Sequence, residues 1–107
     1  MSALGKRLRE ARLKHGLTQE QLGLLAGLEI ESASARMNRY ERETRVPSVE
    51  LMERIGSVLD LPLTYFYATD ESEAILLASF HRMTVADRAA LLEIAIKHAG
   101  ARGRQKN

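Results

Sequence analysis

The stretch "HGLTQEQL", residues 15–22, constrains this chain more than any other. Gly16 can take the positive φ that stops a preceding helix. Thr18 is suited to cap a new helix, and Gln21, three positions on, completes a capping box. Leu17 just before the cap and Leu22 four positions after it are placed to form a hydrophobic staple. The chain must therefore pass from one helix to another through a tight corner at this point.

The segments on either side read as helices too. Leu4, Leu8 and Ala11 make one stripe over residues 4–15. A short second helix over residues 19–26 turns Leu22 and Ala26 inward and ends at Gly27. "LEIES" reads as a connection longer than a simple turn, so a third helix is expected to begin at Ser32 or Ala33. Its inner stripe is Ala33, Met37 and Tyr40, at i, i+4 and i+7. Ser48 caps a fourth helix that runs to Asp60 with Leu51, Met52, Ile55 and Leu59 inside. Pro62 opens a short helical turn, "LPLTYFYA", whose aromatic rings close the core. Two more helices follow, over residues 71–82 and then from a cap at Thr84, with Asp87 at the box position. No segment alternates in the manner of a strand, so the fold class is all-α.

At 107 residues the chain fits one domain with an extension. It has no cysteine, which excludes a disulfide framework and a thiolate metal site. No apolar run approaches the roughly 18 residues that span a membrane, and the N-terminus lacks the apolar stretch of a signal peptide. A soluble, cytoplasmic protein is expected. His15, His81 and His98 are scattered without metal-ligand spacing. There is no glycine-rich phosphate loop, and no nucleophile–base pairing can be argued from residue order. No metal, no cofactor and no enzymatic activity are expected.

Charge is more informative in its distribution than in its total. The balance is 16 Lys+Arg against 14 Asp+Glu, a net +2. Lys6, Arg7, Arg9, Arg12 and Lys14 crowd the start, and Arg36, Arg39, Arg42 and Arg45 crowd the middle, while residues 47–75 are acidic. In "SARMNRYERE" the polar side of the third helix carries Ser34, Ala35, Asn38, Arg39 and Arg42, behind which Met37 and Tyr40 anchor it. One reading is a solvated face laced with ion pairs. The other is a helix for a DNA groove. Arginine sets two donors on guanine, asparagine pairs with adenine, and the free N–H groups at the start of the second helix, by Thr18 and Gln19, suit a phosphate.

The order of features favours the second. "LGKRLREARLKHGLTQEQLG", "MNRYERE" and "RVPSVELMERIGSVLDLPLTYFY" together resemble the lambda-repressor/Cro-like, or XRE, helix-turn-helix family over Leu4–Tyr67. The resemblance implies a lambda-repressor-like five-helix DNA-binding domain with its third helix in the major groove of double-stranded DNA. It sets Ser34, Ala35, Asn38 and Arg39 at base-contact positions. Gln19, with Thr18 beside it, falls at the phosphate-gripping entry of the second helix, and Arg42, Thr44 and Arg45 fall in the loop after the third. Arg12 matches an arginine that pairs with Glu41 to lock the first helix to the third. Lys6, Arg7 and Arg9 can reach the DNA backbone at the edge, with solvated surface the better reading for at least one of them, and Arg36 can pair with a carboxylate or reach phosphate.

Two departures from the family pattern stand out. "LEIESAS" lengthens the link before the third helix by about four residues, which can move that helix's start. Glu43 stands where the family has glycine at a positive φ; keeping that φ costs up to about 1 kcal/mol.

The expected division is 1–68 for the DNA-binding domain, 69–100 for a two-helix C-terminal extension and 101–107 for a basic disordered tail. Leu76, Phe80, Leu91, Leu92, Ala95 and Ile96 offer more apolar surface than two solvated helices need, so the extension is expected to pair two copies into a homodimer. The expected function is a sequence-specific transcriptional regulator, a repressor acting as a dimer on a palindromic operator. The rival is a protein-interaction module, such as an antitoxin binding a toxin partner, with weak or autoregulatory DNA binding.

Overall fold

The local signals act as their chemistry dictates. In the computed structural model, which describes residues 3–103, the Thr18 hydroxyl accepts the Gln21 amide at 3.0 Å, and the Gln21 side chain accepts the Thr18 amide at 2.8 Å. Gly16 takes φ 67°. The corner so formed separates α1 (Leu4–Lys14) from α2 (Gln19–Leu25). Five helices follow: α3 (Ile30–Glu41), α4 (Val49–Leu59), α5 (Leu63–Tyr67), α6 (Glu71–Arg82) and α7 (Val85–Gly103). Ser48, Asp70 and Thr84 cap α4, α6 and α7 by accepting the amides of Leu51, Glu73 and Asp87. All regular structure among the described residues is helical, an all-α chain of five helices with two more appended.

The core lies within the first five helices. Leu8, Leu22, Met37, Leu51, Met52, Ile55, Leu59 and Phe66 are fully buried, each such side chain contributing about 1.5–3 kcal/mol. α3 packs chiefly on α2 and α1. Two glycines permit the approach. A Cβ on Gly23 would come within 2.9 Å of the Ala33 Cβ, and one on Gly5 would overlap the Glu41 carbonyl oxygen.

α3 starts earlier than the sequence suggests. The link from α2 is only residues 26–29, and the added residues lengthen the helix, not the loop. Gly27, at φ 93°, turns the chain sharply, Leu28 drops into the core, and the Glu29 carbonyl accepts the Ala33 amide at 2.8 Å. Ile30–Ser32 are free to coil, and Glu31 in the first turn favours the positive end of the helix dipole. Ser34 and Ala35 therefore sit beyond the first turn.

A second correction concerns the tail. α7 runs through Gly103, so residues 101–103 are helical where disorder was expected. Ala101 and Arg102 are strong helix formers, and Gly100, which costs a helix about 1 kcal/mol, does not stop it. The rest of the expected tail, residues 104–107, lies outside the described residues.

Arginines hold the last helices in place. Arg7 is buried, with Nε donating to the Ala68 carbonyl at 2.6 Å, Nη1 to Glu71 at 3.3 Å, and its guanidinium 5.5 Å from the Tyr65 ring centroid. Arg82 donates to the carbonyls of Asp60 and Leu59. Arg88 donates to the carbonyls of Phe80 and His81, and so ties α7 to the end of α6. Beyond that tie α7 is largely bare: Leu92, Ile94 and Ile96 are exposed. No described helix is long and apolar enough to cross a membrane.

Candidate nucleic-acid interface

The exposed side of α3 is built by its own periodicity. Ala33, Met37 and Tyr40 are buried, so Ser34, Ala35 and Arg39 fall to the solvent side and Asn38 to its margin, half-buried. Neither Asn38 nor Arg39 is covered by the last two helices, since α3 packs mainly on α2 and α1.

The start of α2 meets α3 at Asn38. Gln19 Nε2 donates to Asn38 Oδ1 at 3.3 Å and to Glu41 Oε1 at 3.2 Å. Glu41 also accepts two bonds from Arg12, from Nε at 2.6 Å and Nη2 at 3.0 Å, and Arg12 Nη1 donates to the Leu17 carbonyl at 2.9 Å. One network thus joins α1, the corner, α2 and α3. Within it the Arg12–Glu41 pair is nearly dry, with side chains 9% and 3% exposed. The bond from Gln19 orients the Asn38 amide and leaves its own N–H groups and one oxygen lone pair for other partners. Thr18 is exposed beside Gln19 at the helix start.

Arg42, Thr44 and Arg45 follow α3 and are all exposed. The Thr44 amide donates to the Arg39 carbonyl at 3.0 Å, which closes the helix end. Glu43 keeps the left-handed conformation, at φ 59°, in place of a glycine. Among the described residues Arg36, Arg39, Arg42 and Arg45 make no ion pair.

Sequence reasoning misjudged Arg7, which is sequestered under α5 and α6 and is not available at an edge; Lys6 and Arg9 are exposed. It also left Arg36 open. Arg36 turns back on its own helix, Nε and Nη2 donating to Tyr40 Oη at 3.1 and 2.9 Å. The i, i+4 spacing of an arginine and a tyrosine on one helix was the available signal.

On the other end of the molecule, Leu76, Phe80, Leu91, Leu92 and Ala95, with Leu77, line one apolar hollow of about 180 Å³ between α6 and α7. Ile96 is exposed and outside that lining.

This arrangement has relatives. Residues 8–66 match the family model described as helix-turn-helix. The HTH-type transcriptional regulator ImmR of Bacillus subtilis (strain 168) is 30% identical over 69 residues, 64% of this chain and 51% of that protein. The chain thus spans about half the length of this curated relative. The crystal structure of the transcriptional regulator BswR superposes with a TM-score of 0.82 at 37% identity, covering 92% of this chain and 97% of that one. The superposition reaches well past residue 66, so at least part of the α6–α7 extension belongs to the shared architecture.

Proposed function

Because the chain belongs to the lambda-repressor/Cro-like helix-turn-helix family of DNA-binding transcriptional regulators, we propose that it acts in the cytoplasm as a dimeric repressor on a palindromic operator. The observation that carries this reading is the two-sided character of α3. Met37 and Tyr40 hold one side in the core, while Ser34, Ala35, Asn38 and Arg39 stand at the other, and among the described residues Arg39 has no carboxylate partner.

In the proposed complex Asn38 and Arg39 read base edges, with Ser34 and Ala35 close against the groove floor. Thr18 and Gln19 meet a phosphate at the start of α2, and Arg42, Thr44 and Arg45 meet the backbone beyond α3. Two copies are needed to cover half-sites about one helical turn apart. The bare apolar side of α7 and the hollow it shares with α6 support that pairing, through Leu76, Phe80, Leu91, Leu92, Ala95 and Ile96. Occupancy of promoter sequence by such a dimer excludes polymerase.

The test is selection of bound duplexes from a random pool, with an Asn38→Ala/Arg39→Ala control. A palindromic motif that disappears in the control is the expected result. Strong binding with no enriched motif, or no binding, overturns the reading.

A further inference from the structure

Beside α3, Arg36, Arg39 and Arg45 line a single hollow of about 200 Å³ together with Tyr40 and Val46. No carboxylate lines it, and none of the three arginines pairs with one among the described residues. Three unneutralised guanidiniums sharing one recess repel each other, and an anion placed there relieves that repulsion. Arg36 is already ordered. Two of its N–H groups donate to Tyr40 Oη, at 3.1 and 2.9 Å, and its guanidinium lies 5.9 Å from the Tyr40 ring centroid. The tyrosine hydroxyl, accepting from this cation, keeps its own proton for another partner as a donor. The recess therefore offers donors from several directions and no carboxylate among its lining residues. A guanine edge also presents acceptors alone, but two of them, coplanar and matched to one guanidinium; a tetrahedral phosphate presents acceptors spread in space, as several guanidiniums around one recess require.

We propose that this recess seats one phosphate of the DNA backbone, with Arg36 and the Tyr40 hydroxyl as ligands that set the register of α3 and Arg39 at the rim beside the base it reads. The proposal rests on the duplex binding proposed above. Its consequence is that Arg36 contributes affinity without sequence preference, while its neighbour Arg39 contributes preference.

The test compares wild type, Arg36→Ala and Tyr40→Phe on the selected duplex and on an unrelated one across a salt series. Arg36→Ala is expected to weaken both duplexes by a similar factor, about tenfold or more at low salt, and to lower the salt slope by roughly 1. Tyr40→Phe, which leaves the buried ring in place, gives a smaller loss, equal on both duplexes. Replacing single phosphates with neutral methylphosphonates finds one position per half-site that weakens wild type and leaves Arg36→Ala unaffected. If wild type binds and Arg36→Ala matches it in affinity and slope, the seat is overturned and the broader reading stands. An altered base preference in Arg36→Ala also overturns it, since Arg36 then reads a base. Failure of wild type to bind any duplex removes both.

Discussion

Arg12 and Glu41 face each other across α1 and α3 in a two-bonded pair, at 2.6 and 3.0 Å, from which water is almost entirely excluded. The carboxylate is held further by Gln19, and the guanidinium by the Leu17 carbonyl. The pair therefore positions the start of α2 against α3. An ion pair this dry holds its geometry because each charge has only the other, plus these neutral dipoles, for solvation.

Removing one partner strands the other charge. Arg12→Ala and Glu41→Ala should each cost about 3–5 kcal/mol, whereas Arg12→Met with Glu41→Leu should cost far less, since no buried charge remains. Chemical denaturation checks this. A loss below about 1 kcal/mol for Arg12→Ala would mean that water reaches the pair.

Glycine effects should differ by position. Gly5→Ala drives a methyl group into the Glu41 carbonyl and should destabilise by about 1–3 kcal/mol. Gly100→Ala, in a helical turn with open space around it, should gain up to about 1 kcal/mol of helix propensity. Thermal melting of the two variants should move in opposite directions; shifts of the same sign would contradict the packing described.

Glu43→Gly removes a side chain from a left-handed backbone position, and should stabilise by up to about 1 kcal/mol. Glu43→Gln keeps the backbone strain and removes only the charge. Its duplex affinity should rise at low salt and converge with wild type at high salt. An unchanged affinity at low salt places Glu43 away from the phosphates.

Asn38→Ala and Arg39→Ala should each relax discrimination at one base position, by about 1–3 kcal/mol, with smaller effects on unrelated duplexes. Competition binding against single-base operator variants measures this. Uniform weakening across all variants would assign these side chains to the backbone.

Leu92→Glu and Leu76→Glu put a carboxylate on exposed apolar positions of the α6–α7 face. Sedimentation should show a monomer with helix content retained, and operator affinity should fall sharply because two half-sites are no longer linked. A dimer that survives both substitutions moves the interface elsewhere on the chain.

Much of this architecture is written locally. The Gly16 stop, the Thr18–Gln21 box, the Ser48 and Thr84 caps and the inner stripe of α3 involve partners within a few residues of each other, so their spacing in the chain already states the geometry. The same holds for which side of α3 is polar, because burial of Met37 and Tyr40 leaves Asn38 and Arg39 no other direction. Where α3 begins was not legible. "LEIES" has residues that a loop and a helix both accept, and only the burial of Leu28 and the turn at Gly27 select the helix. The arginines divide in the same way. The family resemblance already implied the Arg12–Glu41 pair, and the i, i+4 spacing of Arg36 and Tyr40 was a signal on one helix. The partner of Arg7 was decided by the tertiary structure alone: it donates to a carbonyl 61 residues away. A long flexible side chain takes such a role from what the packed core brings within reach, and that distance is not encoded in its neighbours along the chain.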